Sequence, residues 1–334
     1  MSDSVVRTYR SGGFDFLAVE NDEIRAVFLP EIGNKMVELR NLKSGKQFLL
    51  APQTPAQSYV RPTYGAEFAA FDTSGFDECF PTVAPSNDRS LSDREKEYET
   101  LLPDHGELWS RPWEVHREAS GLRFAIRGVR HEYDFEKRVR IQGNALALDY
   151  TLRNRAREPF SYLWSAHPLL KVTPGTELLL PREITTVLLN WASDPSIGSF
   201  GDRKAWPNLL PARRDASFAS VQHPRLGVAV KCFTDALKEG RAGIYDRDAD
   251  ESLLMEFDTG KNPYLGLWLC YGGWPEGVEH KHLTVALEPT NGRPDSLEEA
   301  VRRGECTEIG AGEERTWSLR LTLWKGRPPA QTRA

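Results

Sequence analysis

The sequence predicts an all-β protein of stacked antiparallel sheets with very few, short helices. Three observations predict it. Apolar and polar residues alternate along much of the chain, the pattern of strands with one buried face. Turn-forming pairs separate these runs. Neither a strand–helix alternation nor a Gly-rich phosphate loop occurs, which argues against a doubly wound nucleotide fold.

The elements follow in order. Leu122, Phe124 and Ile126 alternate with Arg123, Ala125 and Arg127. Tyr133, Phe135, Val139 and Ile141 alternate with charged neighbours, and Leu146, Leu148, Tyr150 and Leu152 do the same beyond a Gly143-Asn144 turn. Trp317, Leu319, Leu321 and Leu323 form a last such run, after turns at Pro174-Gly175, Asn291-Gly292 and Gly310-Ala311-Gly312. Strand-plus-turn units of this length would give roughly 25–30 strands if they filled the chain, fewer once loops are allowed for. A sheet that large splits into stacked layers. One helix is expected from Ser296: Ser296-Leu297-Glu298-Glu299 reads as a capping box, Leu297, Ala300 and Val301 form an apolar stripe, and Gly304 can end it. A second segment, about 92–99, is charged all round and reads as a surface loop or short helix. No linker interrupts the pattern. We therefore expect one domain over residues 1–334, with short polar tails at about 1–12 and 327–334.

Composition narrows the function. The 334 residues carry 43 basic and 48 acidic side chains, a net charge of −5, which argues against nucleic acid as the main partner. No apolar run of about 18 residues marks a membrane-spanning helix. The segment Met1 to Gly13 holds no apolar signal core, so a cytoplasmic protein is expected. Four widely spaced cysteines, 79, 232, 270 and 306, read as reduced, packed thiols. Nine Trp and ten Tyr suit strands and also sugar-binding clefts.

Candidate chemistry lies where strand physics does not call for polar groups. His167 sits in Trp164-Ser165-Ala166-His167-Pro168, either a satisfied core group or a titratable one aimed into a cleft. Glu288, before Pro289, projects away from the face shared by Leu283, Val285 and Leu287. Asp104-His105-Gly106-Glu107-Leu108-Trp109 is a loop rich in polar groups. Asp77 and Glu78 are neighbours on a strand, so at most one faces a given cleft, and Glu78 is preferred. Trp268 shares a face with Gly266, which would leave room for a flat ligand against the ring. His280-Lys281-His282 would place two imidazoles on one strand face, but no third ligand stands at a recognisable spacing, so no metal is expected.

Taken together, Leu29-Pro30-Glu31-Ile32-Gly33, Gly75-Phe76-Asp77-Glu78-Cys79-Phe80-Pro81, Asp104-His105-Gly106, the segment Tyr133 to Asn154, Ala166-His167-Pro168 and Leu287-Glu288-Pro289 resemble, in order and across nearly the whole chain, the aldose 1-epimerase (galactose mutarotase-like) family. The resemblance implies a β-supersandwich, no cofactor, and interconversion of the α and β anomers of a sugar. It implies His167 as general acid, Glu288 as general base and His105 as a supporting residue. The family's Asn-Arg pair is absent, with Asp77-Glu78 in roughly that stretch, and a sugar-binding Asp would be Asp246 or Asp258. Asp77, Glu78, Trp109, Trp164 and Trp268 complete the expected substrate site. The expected partner is a small-molecule sugar, with no nucleic acid and no membrane, and the chain would be a monomer or homodimer. Arg61, Lys35 or Arg182 would have to converge for a phosphosugar. A non-catalytic sugar-binding protein, or a glycoside hydrolase or lyase using Glu78 and Glu288, are the alternatives.

Overall fold

A computed structural model of the protein describes residues 4–53, 58–87, 101–119, 121–210 and 216–329. The charged segment at 92–99 lies outside them. The described residues form 23 strands and one α-helix, with two 3-10 turns. Two large antiparallel sheets, of eleven and eight strands, dominate.

The alternating runs become the centre of the eight-stranded sheet. Strands Gly121–Arg127, Tyr133–Gln142, Ala145–Asn154 and Glu314–Lys325 are neighbours in it. Gln142 pairs with Ala145, so Gly143-Asn144 is a two-residue hairpin loop. Gly143 supplies the positive φ, +58°, that such a loop requires. The inward residues Leu122, Phe124, Phe135, Leu146, Leu148, Leu152 and Leu321 are buried in one apolar cluster with residues of the eleven-stranded sheet, including Phe76, Ala166, Val285 and Leu287. One face of the large sheet therefore packs on the small sheet.

Two expectations change. The N-terminal stretch is more than a tail: Val5–Ser11 is an edge strand paired along its length with Phe14–Glu20. It stays largely exposed, which is why its sequence reads as polar. The helix runs from Leu297 to Arg303, and Gly304 ends it in the left-handed conformation at φ +67°. Its start is not a self-contained capping box, because the Ser296 side chain caps nothing. The orphan amides instead bond outside the helix: Leu297 N donates to Thr82 Oγ1 at 3.2 Å, and Glu298 N donates to Ser86 Oγ at 2.7 Å. The helix start is thus pinned to the loop beside the site described next.

Candidate active site

The second face of the eleven-stranded sheet carries a cavity of about 300 Å³. Five adjacent strands bring its chemistry together: Phe76–Cys79, Ser165–Lys171, Leu283–Thr290, Tyr264–Tyr271 and Val228–Thr234. His167 pairs with Asp77, Gly266 with Glu288, and Lys231 with Trp268. Strand pairing alone therefore sets these side chains side by side. A register shift between Leu189 and Trp191 on the next strand delivers Asn190 and Trp191 to the rim.

At the floor, His167 Nε2 stands 3.9 Å from Glu288 Oε1. Glu288 Oε1 and His167 Nδ1 have no hydrogen-bond partner among the described residues. The other Glu288 oxygen accepts from Lys231 Nζ and, at 3.4 Å, from Ser165 Oγ. Lys231 also stands 3.3 Å from Asp295 Oδ1, and Asn190 donates to Asp295 Oδ2 at 2.9 Å. Beside this group Lys35, fully buried, donates to Asp72 at 2.6 Å and pairs with Asp77 at 3.0 Å.

Burial sets the electrostatics. It lowers the His167 pKa well below the imidazole range, helped by the nearby His105, Lys231 and Lys35 charges. It raises the Glu288 pKa, against the pull of the Lys231 ammonium. Burial also pushes Asp77 up to about 6, against Lys35. Both lysines stay protonated despite burial, because two carboxylates surround each.

His105 enters from a loop held by tight backbone contacts. It adopts φ +57°, and Gly106 lies so close to the Phe80 carbonyl that a Cβ there would sit 2.0 Å from the oxygen. His105 Nδ1 is 2.8 Å from Asp104 Oδ1, and its ring stacks on Phe68 at 4.0 Å and meets the His167 ring edge-on at 5.1 Å. Against the cost of burial, hydrogen bonds from His105 and from the Phe68 amide hold Asp104 below the usual carboxylate range. Trp191, Trp268 and Trp274 make the aromatic wall, their rings 5.8 and 5.9 Å apart in sequence.

Other expected residues fall elsewhere. Glu78 faces the inter-sheet core, where Lys137 (3.2 Å), Tyr150 (2.9 Å) and Trp164 (3.1 Å) donate to it. Strand alternation sends Asp77 to the cavity side and Glu78 to the core, the reverse of the expected preference. Glu78 and Glu288 thus lie on opposite faces of the sheet, and the hydrolase pairing loses its geometry. Trp164 packs at a tilt against Tyr150 and Trp317 in the core. Trp109 is buried behind Phe68, its indole nitrogen donating to the Asp104 carbonyl at 2.8 Å, so it supports the His105 loop and does not line the cavity. Gly266 makes room for Glu288 and not for a ligand: a Cβ there would meet Glu288 Oε2 at 3.2 Å. His280 and His282 share no strand face, because the strand begins at Leu283. His282 packs edge-on against Trp274 at the cavity wall, and burial pushes its pKa down to about 4. Asp246 is engaged by Lys46 at the far sheet, and neither Asp246 nor Asp258 lines the cavity. Arg61 pairs with Glu31, and neither it nor Arg182 reaches the cavity.

Lys231, Asp295, Asn190, Trp191 and Trp274 were not singled out from sequence. For Lys231 a signal existed: it is the one charge within the apolar run Val228-Ala229-Val230-Lys231-Cys232-Phe233.

This sandwich, with its site on the outer face of the larger sheet, is the galactose mutarotase-like fold. No protein-family model and no curated protein matches the sequence. Solved structures do. A galactose mutarotase-like protein from Lactobacillus casei is similar at TM-score 0.66 and 15% identity, over 92% of this chain and 100% of that one. One from Clostridium acetobutylicum gives TM-score 0.67 and 14% identity, over 97% and 99%. A protein from Synechocystis sp. PCC 6803 gives TM-score 0.67 and 15% identity, over 97% and 98%.

Proposed function

We propose that this protein is an aldose 1-epimerase, interconverting the α and β anomers of a free hexose or related aldose, with His167 and Glu288 as the acid–base pair. The observation that carries the reading is the 3.9 Å approach of His167 Nε2 to Glu288 Oε1, below a cavity walled by Trp191, Trp268 and Trp274. Indole faces suit the apolar faces of a pyranose.

Mutarotation removes a proton from the anomeric hydroxyl and delivers one to the ring oxygen. The ring opens to the aldehyde, the C1–C2 bond rotates, and the ring closes on the other face with the two roles exchanged. In water a His–Glu pair keeps its proton on imidazole by about two pH units. Burial lowers His167 and raises Glu288, so the carboxylate–imidazolium and carboxylic acid–imidazole forms move toward one another in energy. A reaction that must run from either anomer needs that balance. Glu288 is fully covered, with His167 against one oxygen and Lys231 on the other, so His167 must move off Oε1 for a bound sugar to present its anomeric hydroxyl there. Lys231 then holds the carboxylate in place, and Asp104 orients His105 toward the sugar hydroxyls.

Polarimetry on a fresh α-sugar tests this. The wild type should speed the approach to equilibrium, and His167→Ala and Glu288→Gln should each abolish the acceleration. Wild-type rates in both variants would sink the assignment. Calorimetric sugar binding with no acceleration in the wild type would establish the non-catalytic binding protein instead.

A further inference from the structure

Cys79 takes no part in the chemistry above, yet strand alternation places it on the same face as Asp77, toward the cavity floor. The ligand atoms of Cys79, His105 and His167 all lie within 4.8 Å of one another. We propose that these three side chains form a binding site for a soft divalent transition-metal ion of the zinc class, open on its fourth side to the cavity, and that its occupancy blocks turnover. This departs from the sequence expectation of no metal, which rested on spacing; these donors come from three separate segments of the chain.

Four features of the structure support the site. The donor set is right: thiolate and imidazole are the ligands zinc-class ions prefer, and three protein ligands with an open fourth position is a common arrangement. The reach is short. Tetrahedral zinc with bonds of about 2.0–2.3 Å holds its donors roughly 3.4–3.7 Å apart, so the side chains need to close by about 1 Å. The imidazoles are prepared. Asp104 Oδ1 lies 2.8 Å from His105 Nδ1, a contact that in the neutral ring places the proton on that nitrogen and the lone pair on Nε2. His167 Nδ1 has no partner among the described residues.

The fourth feature is charge. Asp72 and Asp77 flank Lys35, Glu288 and Asp295 flank Lys231, and Asp104 lies against His105, so five carboxylates face two ammonium groups and, with the imidazoles neutral, the formal balance is −3. The lysines that face the cluster are each already met by two carboxylates. Binding replaces the Cys79 S–H bond with an S–metal bond and releases the proton to solvent, so the site gains one positive charge and the balance falls to −2. His167 then donates its lone pair to the metal and leaves the acid–base pair.

Cobalt(II) provides the probe. Titrated into the full-length protein, it should produce the thiolate-to-cobalt charge-transfer band in the near ultraviolet together with intense tetrahedral bands in the visible. Cys79→Ser should lose the charge-transfer band, and Asp104→Asn should weaken cobalt affinity about 10–100-fold. No charge-transfer band in the wild type, or an equal band in Cys79→Ser through Cys232, Cys270 or Cys306, would overturn the site. If Cys79→Ser fails to fold by circular dichroism, His105→Asn takes its place, with loss of the tetrahedral bands expected and their persistence overturning the site. Blocked turnover rests on the proposed mutarotation. Zinc should inhibit the wild type and spare Cys79→Ser, and equal inhibition of both would overturn that claim. A protein without mutarotase activity would defeat the proposed function, while the cobalt spectrum would still decide the metal site.

Discussion

Glu78 and Glu288 are both buried carboxylates, and both contact a buried lysine. There the likeness ends. Glu78 accepts from Lys137, Tyr150 and Trp164, so both its oxygens are engaged. Glu288 spends one oxygen on Lys231 and Ser165 and leaves the other facing His167 without a hydrogen bond. Leaving a buried acceptor unpaired costs about 1–3 kcal/mol, which folding alone gives no reason to bear. The comparison teaches that buried charge alone does not mark a candidate acid–base group; what sets Glu288 apart is an unpaired oxygen facing His167.

The sharpest way to break the comparison is Glu288→Gln. We expect the mutarotation rate to fall by roughly 10²–10⁴-fold, the range for loss of a general acid or base, with the fold intact by circular dichroism. A rate within a few-fold of wild type would return Glu288 to the same class as Glu78. Glu78→Gln should do the opposite: denaturant unfolding should show a loss of about 3–5 kcal/mol, because Lys137 is left buried without its counter-charge, while the rate per folded molecule holds. Unchanged stability would mean that the core pair is dispensable.

Asp77 tests the cavity side by pH. Its pKa is raised in the folded protein to about 6 from an ordinary value of 3.8, so the folded state binds that proton more tightly than the unfolded chain. Its contribution is present below pH 3.8 and is lost as pH rises toward 6, about 3 kcal/mol at most. Asp77→Asn should flatten that part of the stability profile, and an unchanged profile would remove the effect. The smallest effect belongs to the wall. Trp268→Ala should raise KM about tenfold, the loss of roughly one aromatic contact, with kcat nearly unchanged. A kcat loss larger than the KM rise would give Trp268 a part in the chemistry.

Much of this was legible beforehand, for identifiable reasons. The hairpin from Tyr133 to Asn154 follows from period two and a Gly-Asn turn, both local signals. His167, Glu288 and His105 stood out because polar groups sat at the ends of apolar strands or in a dense polar loop, and the fold brings His105 and His167 to the cavity lining with Glu288 buried against His167. Which of Asp77 and Glu78 faces that cavity depended on the absolute phase of a four-residue strand, and nothing local sets it. Trp109 and Trp164 read as cleft residues because indole composition does not distinguish a wall from a core. Lys137 offered an unused clue: it occupies an inward position between Phe135 and Val139, and a lysine there needs a partner such as Glu78. The Ser86 and Thr82 caps on the helix could not be foreseen, since they join residues more than 200 positions apart.

The strand order has a consequence for how the protein is made. Asp77, His167, Lys231, Glu288 and Asp295 meet only through pairings that span most of the chain. On a ribosome the cavity cannot close until its last strand has been synthesised, so a nascent chain ending near residue 280 would expose the edge of the Tyr264–Tyr271 strand where Leu283–Thr290 belongs. Such an edge invites pairing with other chains. The same topology that gathers five distant titratable groups into one small space leaves the unfinished protein dependent on rapid completion, or on a chaperone, to stay soluble.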